Sequence, residues 1–249
     1  MRVISVLDLR HGRAVHARGG ERARYGELRS VLAPEVPGDA VAVARGVRAE
    51  HERRAGDGRA ELYVADLDAI EGGAPQRALV RALAAECGIL LDAGIAGVHG
   101  AEEALAIGAA RVVVGLETLR AFGDLAVIAE RCGGERVAFS LDLRAGEPVA
   151  WADAPRSASA VELAEMAVES GAGAVIVLDL ARVGMESGLD LALLREIRRR
   201  LSRAELLAGG GVRDAGDLAR MADCGCDAAL VGTAVHEGRI ALYAPPAGR

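Results

Sequence analysis

Residues 207–214 read Leu207-Ala208-Gly209-Gly210-Gly211-Val212-Arg213-Asp214, and residues 229–233 read Ala229-Leu230-Val231-Gly232-Thr233. A stretch of helical composition separates them. An apolar run ending in glycines, a helix, and a second apolar run ending in Gly-Thr describe a strand–helix–strand unit. Such a unit makes a phosphate cradle: glycine lets the backbone approach an anion, and N–H groups at loops and helix starts donate to it. The same unit is written earlier as Leu90-Leu91-Asp92-Ala93-Gly94-Ile95 and Val112-Val113-Val114-Gly115-Leu116. Gly211, Gly225 and Gly232 are spaced by 14 and 7, and Gly94, Gly108 and Gly115 repeat that spacing. The first copy is altered. Asp92 and Ala93 stand where the second copy has Gly209 and Gly210, and Leu116 stands in place of Thr233. One working phosphate site is therefore expected, at Gly210, Gly211, Gly232 and Thr233, in a scaffold that once had two.

Working outward, short apolar runs at 2–7, 61–66, 88–92, 111–115, 136–142, 174–179, 204–208 and 228–232 read as strands. Helical patterns lie between them, for example at 75–86, 101–107, 157–170 and 189–202, the last marked by Leu193, Leu194, Ile197 and Leu201 on one face. Strands alternating with helices imply parallel βαβ units, and eight units in a chain of 249 residues imply an α/β fold, a closed (β/α)8 TIM barrel. A doubly wound open sheet is the alternative, and it leaves the repeat unexplained. The repeat also runs wider. Leu7-Asp8-Leu9-Arg10-x-Gly12-x-x-Val15 recurs as Leu141-Asp142-Leu143-Arg144-x-Gly146-x-x-Val149, and Val64-Ala65-Asp66-Leu67 as Val177-Leu178-Asp179-Leu180. The chain is thus expected to be one domain, 1–249, of two half-barrels, about 1–133 and 134–249. About seventeen residues follow the last strand and include Pro245-Pro246, so the last outer helix is expected to be short or absent. The apolar surface left there would suit a homodimer.

Composition narrows the function. Hydrophobic residues make up 51% and aromatic residues 2%, so Ala, Val, Leu and Ile must fill the interior. All 30 basic residues are arginine. Without lysine there is no lysine Schiff base, which excludes class I aldolase and pyridoxal chemistry. A net charge of −6 argues against non-specific nucleic-acid binding. No apolar run approaches the ~18 residues of a membrane span, and the start is too quickly polar for a signal peptide, so a cytoplasmic protein with no membrane partner is expected. Cys87, Cys132, Cys224 and Cys226 lack metal-ligand spacing, and Cys224-Gly225-Cys226 reads as buried thiols. No metal or cofactor is expected.

Asp8 and Asp142 each end a strand and stand half a barrel apart in matching frames. Loops at the C-terminal ends of barrel strands build the active site, so the two carboxylates would face each other across its mouth. Such a pair serves as general acid and base when their environments separate their pKa values. A strand-end Asp also commonly caps its own loop. The symmetric frame beside a phosphate cradle favours the catalytic role. The segment at roughly 9–38 carries Arg10, Arg13, His16, Arg18, Arg22, Arg24 and Arg29. It is either a solvated loop or a lid over an anionic substrate.

Together, the Asp8 frame, Val64-x-Asp66-Leu67-Asp68, Asp142-x-x-x-Gly146, Asp179-x-x-Arg182-x-Gly184, Gly209-Gly210-Gly211-Val212-Arg213 and Val231-Gly232-Thr233 resemble the histidine-biosynthesis half-barrel family over nearly the whole chain. The likeness is closer to its isomerase branch. It implies Asp8 and Asp142 as the catalytic pair of an Amadori-type aldose–ketose rearrangement that needs no cofactor. It also implies substrate contacts at Asp66, Asp179, Arg182, Gly184 and Trp151, the Trp either stacking on substrate or anchoring the surface. Two departures stand out. The family isomerase binds two phosphates, whereas here the first cradle is broken, and Val183 and Met185 replace the family's Asp and Thr. A small metabolite with one phosphate is expected as substrate. Two other functions suit the same scaffold, a lyase or condensing enzyme of a cofactor-biosynthesis pathway and a non-catalytic phosphometabolite-binding barrel.

Overall fold

The computed structural model describes residues 1–16, 25–55, 59–144, 146–149, 158–180, 189–201 and 203–242. In chain order the strands are β1 (Arg2–Arg10), β2 (Arg13–His16), β3 (Gly26–Glu27), β4 (Glu61–Asp66), β5 (Gly88–Asp92), β6 (Arg111–Gly115), β7 (Val137–Arg144), β8 (Glu147–Pro148), β9 (Ala174–Asp179), β10 (Glu205–Gly209) and β11 (Ala228–Val231). The helices are α1 (Ala40–Ala55), α2 (Leu67–Ile70), α3 (Arg77–Glu86), α4 (Val98–Ala106), α5 (Phe122–Cys132), α6 (Ala160–Glu169), α7 (Leu191–Arg200), α8 (Ala215–Asp223) and α9 (Thr233–His236). Parallel strands run in the order β1-β4-β5-β6-β7-β9-β10-β11, and β11 pairs back onto β1 with Ile4 opposite Leu230. The sheet is a closed eight-stranded barrel, as its eight apolar runs require. No helix among the described residues is long and apolar enough to cross a membrane.

Local signals set the helix starts. In α6 the Ser159 hydroxyl accepts from the Glu162 N–H while the Glu162 carboxylate accepts from the Ser159 N–H, a capping box. Asp190 and Asp214 cap α7 and α8 through their carboxylates.

Side chains alternate between barrel interior and helix layer with a period of two. Ile4, Tyr63, Leu90, Val113, Ala138, Ile176, Leu207 and Leu230, one from each barrel strand, form the inner cluster. Their neighbours Leu62, Ile89, Val112, Val137, Val175 and Leu206 face outward and pack against the helices. The four cysteines are buried free thiols, and burial pushes the Cys226 thiol up to about 12. Thiols so shifted are poor nucleophiles at neutral pH.

The segment after β1 is more ordered than a loop. β1 overshoots the barrel and turns at His11 (φ 49°) and Gly12 (φ 77°) into antiparallel β2, which in turn pairs with β3. Two successive positive φ values make the tight hairpin turn that matches strand twist. The Asp68 carboxylate accepts from the His11 N–H (2.9 Å) and the Gln76 side-chain oxygen from the Gly12 N–H (2.8 Å), which ties the turn to the segment after β4. Arg10 pairs with Glu71 and Arg13 with Glu27. Arg18, Arg22 and Arg24 lie outside the described residues. The matching hairpin in the second half is β7–β8, with Arg144 opposite Glu147.

An ionic plug closes the end of the barrel remote from these hairpins. Glu205 accepts from Arg111 (2.7 Å) and Arg2 (3.1 Å), and Arg2 also approaches Glu61. Burial alone would raise the Glu205 carboxyl, but the two guanidinium groups bring it below its ordinary value. A carboxylate lowered in the folded state adds stability above its unfolded pKa and loses it as pH falls. Glu205→Gln should therefore cost about 1 kcal/mol at pH 7, because solvent screens this partly exposed pairing. In urea titrations, the difference from wild type should shrink as pH falls below the ordinary glutamate range.

Candidate active site

At the C-terminal ends of the strands opens a cavity of about 310 Å³. Strand parity decides which carboxylates reach it. Ile4, Val6 and Asp8 share one face of β1, and Ala138, Ser140 and Asp142 share one face of β7, so both aspartates point inward and line the cavity. β1 and β7 are four strands apart in either direction round the barrel, so the pair lies on one diameter. Ser140 donates to Asp142 (2.9 Å), and a Cβ built on Gly115 would stand 3.6 Å from the other Asp142 oxygen. Glycine on β6 thus leaves room beside that carboxylate.

The cradle lies on the crossing diameter. Gly210 (φ 85°) and Gly211 (φ 92°) turn the chain after β10, and Gly232 and Thr233 start α9 after β11. All four line the cavity. A Cβ on Gly210 would fall 2.7 Å from the Asp179 carbonyl oxygen, so no larger residue fits there without moving the β9 end. The Arg213–Asp217 pair braces the loop. The buried Asp217 carboxylate accepts from Arg213 Nε (2.9 Å), Arg213 Nη2 (3.0 Å) and the Arg213 N–H (2.9 Å), and it also pairs with Arg220. The Arg213 bonds hold that carboxyl well below the usual carboxylate range despite its burial.

Two histidines frame the cradle. His16 on β2 hydrogen-bonds the Thr233 hydroxyl (3.0 Å). His236 is buried in α9, with Nε2 2.8 Å from the Val6 carbonyl and Nδ1 3.0 Å from the Ser30 hydroxyl. A carbonyl only accepts, so Nε2 carries the proton and Nδ1 accepts from Ser30. Burial pushes this imidazole below its ordinary value, which keeps it neutral.

The first half differs at the matching places. Asp92 ends β5 on its inward face, opposite β10, and its Oδ1 accepts from the Gly94 N–H (3.2 Å). Its Oδ2 accepts from the Tyr63 hydroxyl (3.1 Å). Burial, followed by the charges of Asp92, Asp142 and Asp8, raises the Tyr63 phenol well above its ordinary value. Gly94 has φ 64°, but Ala93 lacks the positive φ of its counterpart Gly210. After β6, Leu116 is fully buried, Glu117 lines the cavity, and the Thr118 and Leu119 N–H groups bond the Gly115 carbonyl as those of Val235 and His236 bond the Gly232 carbonyl.

Other expected site residues fall elsewhere. Asp66 and Asp179 have the outward parity of Val64 and Val177, and neither lines the cavity. The Asp66 carboxylate accepts from the Ala69 N–H, the Gln76 N–H and the Gln76 side-chain amide, so it shapes the segment after β4. Asp179 lies beside Leu189 and Asp190 on the helix side of β9, and its backbone buttresses Gly210. Trp151, Arg182 and Gly184 lie outside the described residues. Tyr63, His16, Glu117 and Arg144 line the cavity without having been singled out as contacts. Among the described residues no cluster of His, Cys, Asp or Glu has the arrangement to hold a metal.

A half-barrel repeat with a carboxylate pair on one diameter and a glycine cradle on the other defines the class, and residues 2–241 match the family described as histidine biosynthesis protein. The chain belongs to that family. A relative from Thermus thermophilus is 37% identical over 97% of both chains. One from Deinococcus radiodurans is 36% identical over 72% of this chain and 76% of its own, and one from Chloroflexus aurantiacus is 29% identical over 97% and 95%. Each bears the name 1-(5-phosphoribosyl)-5-((5-phosphoribosylamino)methylideneamino)imidazole-4-carboxamide isomerase.

Because Asp217 braces the cradle without lining the cavity, Asp217→Asn should weaken binding of inorganic phosphate about tenfold, roughly 1.4 kcal/mol. Calorimetric titration would measure this, with circular dichroism confirming the fold.

Proposed function

We propose that this chain is an acid–base isomerase that converts a singly phosphorylated aminoaldose to its aminoketose. The observation carrying the proposal is the opposed pair Asp8 and Asp142 in one cavity with a single intact glycine cradle. The relatives' printed name supplies the reaction class, since an isomerase acting on a phosphoribosylamino group carries out this type of rearrangement.

The cradle of Gly210, Gly211, Gly232 and Thr233 holds the phosphate, donating backbone N–H groups and the Thr233 hydroxyl. This fixes the sugar between the two carboxylates. One Asp, as its acid, gives a proton to the ring oxygen. The C1–O bond breaks as the amine lone pair forms a protonated imine. The other, as its carboxylate, removes the C2 proton, and the electrons move to give the enolamine. Reprotonation at C1 and loss of the hydroxyl proton at C2 yield the ketose. Protons are conserved overall and no redox partner is needed. The two roles demand opposite protonation states at one pH, which suits unlike surroundings for the pair.

Asp8→Asn and Asp142→Asn should each lower kcat by about 10²–10⁴ while leaving the fold intact, the usual contribution of a positioned proton donor or acceptor. Assays should compare the doubly phosphorylated substrate named for the relatives with N-(5-phosphoribosyl)anthranilate, which carries one phosphate. Turnover of only the second agrees with the proposal. Efficient turnover of the first would make this chain a histidine enzyme with a remodelled cradle. Full activity in both variants would remove the carboxylate mechanism.

A further inference from the structure

We infer that Asp92, held by Tyr63 and Gly94, is a built-in anion that fills the first-half cradle and restricts the cavity to ligands with a single phosphate. The inference rests on the proposed single-phosphate site and explains how the other site was closed.

Three observations converge. The repeat places Asp92-Ala93-Gly94 on Gly209-Gly210-Gly211, so the carboxylate grows from the position that is bare backbone in the working cradle. Its Oδ1 takes the Gly94 N–H, and Gly94 is the counterpart of Gly211, which lines the cavity in the second half. The protein's own carboxylate therefore bonds a donor that an external phosphate would use. Third, the backbone has adapted. Ala93 lacks the left-handed turn that Gly210 keeps.

Electrostatics acts in the same direction. Asp92 sits midway round the barrel between Asp8 and Asp142, and Glu117 lines the same side. A second phosphate there would meet the Asp92 carboxylate at close range. The ligands that remain are those with one phosphate. Tyr63 fixes the carboxylate from below, its phenol remaining a donor.

The test uses inorganic phosphate as probe and needs no turnover, so it stands apart from the isomerase assays. Isothermal titration should give one equivalent bound to wild type and two to Asp92→Gly/Ala93→Gly. Two equivalents on wild type, or one on the folded double variant, would overturn the inference. No binding to wild type would overturn both it and the cradle assignment. Should the double variant fail to fold, Asp92→Asn provides an independent readout. Loss of the charge should move the Tyr63 ultraviolet titration to lower pH, and an unmoved titration would show that Asp92 is not the anion claimed.

Discussion

The two-residue period of a β-strand is the constraint on which this active site depends. In a closed parallel barrel, each strand presents alternate residues to the interior, and its last inward residue reaches the mouth. Asp8, Asp92 and Asp142 fall on that parity, whereas Asp66 and Asp179 fall one residue off it. A shift of one place exchanges a group that meets the substrate for one that meets the helix layer. The inward set fixes the chemistry, and the outward set fixes the loops that frame it.

The cavity is therefore polar in a defined way. One diameter carries the opposed carboxylates of β1 and β7, and the other runs from the glycines of β10 to the Asp92 carboxylate of β5. Backbone N–H groups present partial positive charge at one end, and ionisable oxygens dominate the other. On the proposed reading, a ligand with one phosphate aligns with this field and places its reacting carbons between the two carboxylates. The bracing network behind the cradle, Arg213 with Asp217 and His236 with Ser30 and Val6, touches no ligand but keeps the donors in position.

Most of the architecture was legible in the sequence because the half-barrel repeat writes each unit twice. The strands formed where their apolar runs lie, with β1 extending to Arg10. The parity of the strand-end carboxylates was less legible. Strands buried on both faces, such as β4 and β9, are apolar throughout and give no alternation to count. The family resemblance implied Asp66 and Asp179 as substrate contacts, and the apolar runs around them could not show that both have the outward parity. The β1–β2 hairpin was hidden for another reason. Its turn has His11 at a positive φ, a residue with little turn preference, and it depends on Asp68 and Gln76, which are distant in sequence. Tyr63 could have been found by stepping back two residues from Ala65 along the inward face. The Asp8 frame and the glycine spacing needed no such correction, because they are carried by residues adjacent in the chain.

The Asp92 bond to Gly94 also changes when the entropy of ordering is lost. A cradle that waits for phosphate orders its loop on binding, and that cost is subtracted from affinity. Here the β5 loop closes on its own side chain during folding, so one wall of the pocket is rigid before any ligand arrives. Two mobile cradles would let a long substrate couple its ends, each phosphate easing the binding of the other. On the proposed reading, a preset wall removes that coupling.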